Sequence, residues 1–261
     1  MFGNFIYFIV VLLIYLTYQS SEETNFNGLE TLTLFIGLIL LFFYFTSFLF
    51  RRLERRIANG EFARLDSQFH STLMRQSIMA ILIFAIDIYG LSLPSFLIDI
   101  PLFTTVPTLE ALLFLSLFVF YLAIVWACAY GPYKKLYRSD ISQRTYVLSN
   151  ITFSVPVLLP WLILSGFADL IRVLPFEWPA HFLDTTEGEI TYFLLFLVTL
   201  AVVGPAMIQK FWRCKPLETG EHRRRIASLC QKAGIAYADI LYWPIFGGKM
   251  ITAGVMGLIK K

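Results

Sequence analysis

Residues 32–56 read LTLFIGLILLFFYFTSFLFRRLERR, a long apolar run that ends in a cluster of four arginines. An α-helix rises about 1.5 Å per residue, so about 20 apolar residues cross the roughly 30 Å hydrocarbon core of a bilayer. Basic residues beside a span are retained preferentially on the cytoplasmic side. The stretch therefore predicts a transmembrane helix whose C-terminal end lies in the cytoplasm.

The same pattern recurs along the chain. Apolar segments of comparable character predict six spans, at residues 5–18, 32–50, 77–93, 109–130, 147–171 and 190–208. The first and third are the shortest. Twenty of the 21 Lys and Arg residues lie on one side of this pattern, and Arg172 is the exception. The positive side is the cytoplasmic side, so both termini are predicted to be cytoplasmic.

The composition agrees with a membrane protein. Apolar residues make up 57% of the chain and charged residues 15%, and the mean hydropathy is +0.69. The net charge of +3 comes from bases beside span ends, where anionic lipid headgroups account for them, so no nucleic-acid partner is expected. The predicted fold is an all-α membrane bundle of about six transmembrane helices in residues 1–208, followed by a short cytoplasmic α+β segment in residues 209–261. Its immediate partner is the lipid bilayer.

The second predicted loop, residues 51–76, mixes basic residues with regularly spaced apolar ones. This pattern predicts a short amphipathic connector that lies along the lipid headgroups. The alternative is a regulatory or lipid-specific site, because clustered bases also mark such sites. Topology alone requires bases here, and this favours the connector.

Asp87 lies near the middle of the third span and is a possible intramembrane polar site. A charge at that depth costs at least about 3 kcal/mol, so the side chain should face the bundle interior, be protonated or find a partner. A structural role is favoured over a transport function, because a transport pathway usually shows several polar groups at this depth. Glu110 and Asp169 are placed at outer span ends, where water reaches them.

Pro156 and Pro160 interrupt the fifth span. Proline lacks the N–H of the helical ladder and predicts a kink. A broken helix at a substrate site is the alternative, but no matching interrupted span appears elsewhere in the chain.

The polar tail after Lys210 predicts a helix over residues 221–233, with Thr219 as N-cap and Gly234 as the residue that ends it. Its apolar positions, at i, i+3, i+4 and i+7, are Ile226, Leu229, Cys230 and Ala233. Residues 237–243 predict a strand, residues 244–249 a turn, and residues 250–253 the start of a second strand. So few elements cannot bury a full core, so the sequence looks cut inside a domain.

In this order of elements the tail resembles the integral-membrane zinc metallopeptidases of the HtpX and CAAX-prenyl-protease type. In that family a segment Asn-Ala-x-x-x-Gly precedes the strand before the catalytic helix. Here Ala253 and Gly257 keep that spacing, but Thr252 stands where Asn is usual. The resemblance covers residues 214–261 and implies a zinc-dependent metalloendopeptidase at the cytoplasmic face of the bacterial inner membrane. Its substrates would be membrane-protein or peptide chains.

The family places its zinc ligands and general base in an H-E-x-x-H motif on a later helix. This chain contains only His70, His181 and His222, and no such pair. Cys214, His222 and Cys230 are too widely spaced for a standard zinc cluster. No catalytic residue or metal ligand is assigned, and no cofactor is expected in these 261 residues, although the resemblance implies zinc for the whole family member.

Two functions therefore stand side by side. The first is the membrane-anchoring N-terminal part of a zinc metalloendopeptidase. The second is a non-enzymatic multi-span membrane protein, either a small transporter or an assembly or signalling subunit.

Overall fold

A computed structural model of the chain describes residues 3–19, 27–57, 62–98, 100–174, 181–212 and 214–243. The chain divides into two compact units, Met1–Pro175 and Phe176–Lys261. The described part of the first unit is helical throughout, with short connections. The described part of the second unit contains two helices longer than ten residues and a small sheet.

The first unit contains seven helices in its described residues. They are α1 Gly3–Leu16, α2 Gly28–Ile57, α3 Phe62–Ala85, α4 Pro101–Thr105, α5 Pro107–Tyr137, α6 Gln143–Ser154 and α7 Leu159–Val173. A π-helical turn, Ile86–Gly90, continues α3, and two 3-10 turns lie at Leu93–Phe96 and Val155–Val157. The second unit contains α8 Thr186–Phe211, β1 Lys215–Pro216, α9 Glu221–Lys232 and β2 Leu241–Tyr242.

Four helical segments in the described residues are long and apolar enough to cross a membrane: Gly28–Ile57, Arg64–Gly90, Pro107–Tyr137 and Thr186–Phe211. The pair α6 and α7 makes a fifth if it is counted as one bent span. The first predicted span is a helix of 14 residues, about 21 Å long, which is shorter than the hydrocarbon core. The helical character is thus confirmed, with four or five apolar helices that could span a membrane where the sequence predicts six spans.

Helix α5 is the centre of the first unit. It packs against α1, α2, α3, α4, α6 and α7. Phe114, Phe118, Tyr121 and Val125 repeat at helical spacing and are buried, and Leu122 on the adjoining face is buried too. Helices in lipid associate through close packing and hydrogen bonds, because lipid tails are as apolar as the side chains. A central helix buried on several faces is the arrangement that supplies such packing.

The segment 51–76 is not the separate connector predicted from its charges. Residues up to Ile57 continue α2, and those from Phe62 continue α3. Its apolar residues Leu53, Leu65 and Phe69 are buried between helices instead of lying on headgroups. The helical pattern was correctly recognised, but the neighbouring helices, which a local pattern does not include, cover it.

The interruption of the fifth span is confirmed. Helix α6 ends at Ser154, a 3-10 turn follows, and α7 begins at Leu159 with Pro160 in its first turn. The two helices are bent by 63°. Pro156 and Pro160 have no N–H to donate to the helical ladder, and in a regular helix the ring of each would clash with the carbonyl four residues earlier. These two effects account for the break.

Candidate functional site

Asp87 lies in the wide turn that ends the third span. The π-helical turn runs from Ile86 to Gly90, and the Leu91 N–H donates to the Ile86 carbonyl at 2.9 Å. Within this turn Asp87 and Ile88 are buried. Single π turns in helices occur often at functional sites, because they re-aim side chains that a regular helix would direct elsewhere. Here the turn belongs to the element that carries the predicted intramembrane carboxyl.

Tyr121 of α5 is the partner of this carboxyl. Its hydroxyl donates to Asp87 Oδ2 at 2.5 Å, and both side chains have no exposed surface. The Phe42 ring packs edge-on against the Tyr121 ring, with 5.7 Å between centroids. The site is therefore formed by three helical elements, α2, the turn after α3, and α5. Tyr121 could not be identified from the sequence as the partner of Asp87, because it is one of 13 Tyr residues in the chain.

The second carboxyl oxygen, Asp87 Oδ1, is buried and has no hydrogen-bond partner among the described residues. A buried polar atom without a partner costs about 1–3 kcal/mol, so such atoms in native structures call for an explanation. No ion pair to Asp87 is found in the described ranges either. Chemically, the site can accept one further hydrogen bond from a donor that reaches Oδ1. The site is thus a single buried polar contact within an apolar bundle.

Asp169 corrects a second expectation from the sequence. The sequence predicts that Asp169 lies at a water-exposed span end, but only 5% of its surface is exposed. Its Oδ2 accepts a hydrogen bond of 2.7 Å from the Thr108 N–H, in the first turn of α5. Val106, the N-cap residue of α5, has no side-chain acceptor. The carboxylate of α7 therefore caps α5 from outside, where the helix dipole also favours a negative charge.

Most basic residues of the first unit lie at the end opposite to the Asp169 cap. The C-terminal ends of α2 and α5 meet there, and Lys135 Nζ lies 2.9 Å from Glu54 Oε1. Tyr137 donates to Asp66 near the start of α3. This region, residues 51–57, 64–75 and 134–144, is called the basic end. A Cβ atom at Gly131 would lie 2.9 Å from Glu54 Oε2, so a larger residue there would require the Glu54 side chain to shift.

Two grooves open at the basic end. The first, of about 440 Å³, lies between α2 and α3 and is lined by Leu49, Arg52, Leu53, Arg56, Ser67, Gln68, Ser71, Thr72 and Arg75. The second, of about 390 Å³, lies on α2 and is lined by Phe43, Tyr44, Ser47, Phe48, Arg51, Arg52 and Arg55. Arg52 lines both grooves. The sequence predicts basic residues in this region, but it does not predict the groove, because the groove depends on how α2 packs against α3.

The described tail is organised by Arg223. Its guanidinium lies 2.5 Å from Asp239 Oδ1 and donates to the Leu217 carbonyl at 2.7 Å. The Asp239 pKa is held below its ordinary value, first by this hydrogen bond and then by the Ile240 N–H. Arg223 thus joins α9 to the ends of the two paired strands.

The ends of α9 follow the predicted chemistry in part. Gly234 adopts φ +67°, and the N–H groups of Gly234 and Ile235 donate to the Gln231 and Cys230 carbonyls, which is a Schellman motif. The N-cap is Gly220 and not the predicted Thr219. Its carbonyl accepts the Arg224 N–H, and no side chain caps this end of the helix. The helix therefore starts one residue later than a hydroxyl cap would place it.

The strand predicted at residues 237–243 is reduced to Leu241–Tyr242, which pairs antiparallel with Lys215–Pro216. Two residues on each side form the sheet, with Lys215 opposite Tyr242. Thr252, Ala253 and Gly257, which carry the family resemblance, lie outside the described residues, as do the predicted turn and second strand. In the described ranges no group of three or more His, Cys, Asp or Glu side chains is placed to hold a metal ion.

No protein-family model, curated protein or solved structure matches this chain. The class that fold and site define is a helical protein with four or five apolar helices long enough to cross a membrane, a buried Asp–Tyr pair, a basic end and a polar tail. Any finer function has to be argued from these features.

Proposed function

We propose that this chain is the membrane-anchoring part of a zinc metalloendopeptidase that acts at the cytoplasmic face of the bacterial inner membrane. The supporting observation is the order of elements in the tail. A long apolar helix, α8, is followed by the amphipathic helix α9, a left-handed Gly234 and the short strand β2. This is the order that precedes the catalytic helix in the peptidases that the sequence resembles.

In this proposal the helical part holds the peptidase domain close to membrane-embedded or membrane-proximal substrates. The catalytic H-E-x-x-H helix would follow the segment that contains Thr252, Ala253 and Gly257 in the natural reading frame. Zinc would be bound by that helix, since it supplies two His ligands one turn apart and a Glu as general base. The residues described in this chain would position the domain and take no part in hydrolysis.

The direct test is to sequence the transcript beyond codon 261 and to assay both products. The proposal expects an H-E-x-x-H helix downstream, and chelator-sensitive casein cleavage by the product of the whole reading frame. The 261-residue chain, purified alone, is expected to bind no stoichiometric zinc in elemental analysis and to cleave nothing. One tightly held zinc per chain together with chelator-sensitive cleavage by these 261 residues would overturn this assignment of roles.

The orientation is proposed from the distribution of charge. The bases of the first unit's two loops lie together at the basic end, as a single cytoplasmic surface requires. Cys substitutions at Ser67, Ser142 and Thr219, with Cys128, Cys214 and Cys230 changed to Ser, should be protected from an impermeant thiol reagent in intact cells. They should react after the membrane is opened. Labelling of any of the three in intact cells would refute the cytoplasmic orientation.

A second candidate has its own observation. A pure anchor has no need of a buried carboxyl with an unpaired oxygen, and Asp87 has one among the described residues. A non-enzymatic membrane protein, such as a small transporter, would use it. A reading frame that stops without H-E-x-x-H would support this candidate and dismiss the first.

A further inference from the structure

We propose that the groove between α2 and α3 at the basic end binds the headgroup of an anionic phospholipid. This lipid-binding proposal goes beyond the anchoring function and does not depend on that function, because it is argued from the groove alone. The groove is formed by two helical stripes with the same spacing. Leu49, Arg52, Leu53 and Arg56 on α2 follow i, i+3, i+4, i+7, and so do Gln68, Ser71, Thr72 and Arg75 on α3.

The first step of the argument is charge. Arg52, Arg56 and Arg75 contribute three positive charges to one groove of about 440 Å³. None of them has an acidic partner among the described residues. The nearby described carboxylates are engaged elsewhere, since Glu54 pairs with Lys135 and Asp66 accepts from Tyr137. Within the described residues the groove therefore keeps an uncompensated positive charge, which an anionic group from outside can neutralise.

The second step is the type of donor. Guanidinium groups present paired N–H donors that match the oxygens of a phosphate, and charge-assisted hydrogen bonds of this kind are stronger than neutral ones. The hydroxyls of Ser67, Ser71 and Thr72 line the same space and add further donors. This combination of planar cations and hydroxyls suits a phosphodiester together with the hydroxyls of a glycerol headgroup.

The third step identifies the source of the phosphate. Arg52 also lines the second groove, where Phe43, Tyr44 and Phe48 lie toward the apolar part of α2. These three rings are exposed, Tyr44 by 73%. One continuous surface thus runs from exposed aromatic rings to arginines, at the boundary where the apolar run of α2 ends. A lipid has both parts, acyl chain and anionic headgroup, whereas free phosphate has no use for the aromatic part.

The experiment uses the purified chain in neutral detergent and native mass spectrometry with two lipid probes, phosphatidylglycerol and phosphatidylcholine. One saturable phosphatidylglycerol site is expected, with phosphatidylcholine bound at least about tenfold more weakly. The variant Arg56→Gln/Arg75→Gln should lose at least about tenfold in affinity for phosphatidylglycerol. The matched control Arg64→Gln/Arg144→Gln removes the same charge from the basic end but not from the groove, and it should retain the affinity.

A second variant, Ser71→Trp, leaves every charge in place and fills the groove, so it should also weaken binding. It keeps the proposal testable if the double arginine variant does not fold. Equal loss in the groove variant and in its control would refute a defined site and indicate general charge attraction. Competition by inorganic phosphate as effective as by the lipid would refute the phospholipid as occupant and indicate a phosphate site.

Discussion

Helices α5 and α9 both carry apolar side chains at helical spacing, but they differ in whether other helices cover those side chains. Helix α5 contacts six other helices and buries side chains on several faces. Helix α9 has a comparable apolar stripe, yet it has no buried residue, and Leu229 is 63% exposed. Its order comes from the ends instead, through Arg223 and the Schellman motif. In this molecule an apolar stripe is therefore not by itself evidence of packing.

The comparison can be tested most strongly at Phe118, which has no exposed surface. Its ring packs edge-on against Phe8 and Phe84, at centroid distances of 5.4 and 6.0 Å. Phe118→Ala should lower the free energy of unfolding of the first unit by roughly 3 kcal/mol, near the low end for buried Phe, because lipid weakens the transfer contribution. Unfolding in mixed detergent micelles, followed by circular dichroism, measures it.

Two controls belong to that measurement. Phe120→Ala removes an exposed ring from the same helix, and Leu229→Ala truncates an exposed aliphatic side chain in the uncovered stripe of α9. Both should change the unfolding free energy by no more than about 0.5 kcal/mol. A loss at Leu229 as large as that at Phe118 would mean that α9 is packed in the protein in solution, and the contrast between the two helices would fail.

The second prediction concerns the buried hydrogen bond that Tyr121 of the packed helix α5 donates to Asp87. Asp87→Leu leaves the Tyr121 hydroxyl unpaired and should cost about 2 kcal/mol, whereas Asp87→Asn keeps an acceptor and should cost less. Adding Tyr121→Phe to Asp87→Leu removes the unpaired group, so the double variant should be more stable than the sum of the single changes predicts. Folded yield and unfolding in detergent provide the data. Strict additivity would contradict a buried hydrogen bond between these residues.

The smallest effect is expected in the tail. Because Arg223 holds the pKa of Asp239 below its ordinary value of 3.8, the pair contributes stability above about pH 3.8 and loses it as the pH falls further. The groups are partly exposed, so solvent limits the contribution. Amide exchange in peptides from residues 214–243 should quicken at about pH 3 beyond the intrinsic pH effect. Asp239→Asn should remove this additional dependence, and its persistence in that variant would exclude Asp239 as the cause.

The sequence was most informative where a local pattern decides the structure. The long apolar runs predicted the helices, Pro156 and Pro160 the break, and Gly234 the left-handed end of α9. It was less informative where distant segments meet. The N-terminus of α5 is capped by Asp169, 61 residues later, and no rule of local spacing connects the two. The groove at the basic end depends in the same way on the pairing of α2 with α3, and residues 51–76 look like a connector only when that pairing is ignored.

The π-helical turn at Ile86–Gly90 also sets a constraint on chain length. A π turn holds one residue more than an α turn, so everything after it is rotated by about 100° relative to a straight helix. That phase brings the Tyr89 hydroxyl to 2.7 Å from Thr17 Oγ1 and 3.0 Å from the Ile14 carbonyl, which ties the third span to the first. Substitutions leave the count of residues unchanged and preserve this phase. Deleting Ile88 would restore the regular repeat and turn Tyr89 away from α1, so this contact between the third span and α1 depends on the number of residues in the turn.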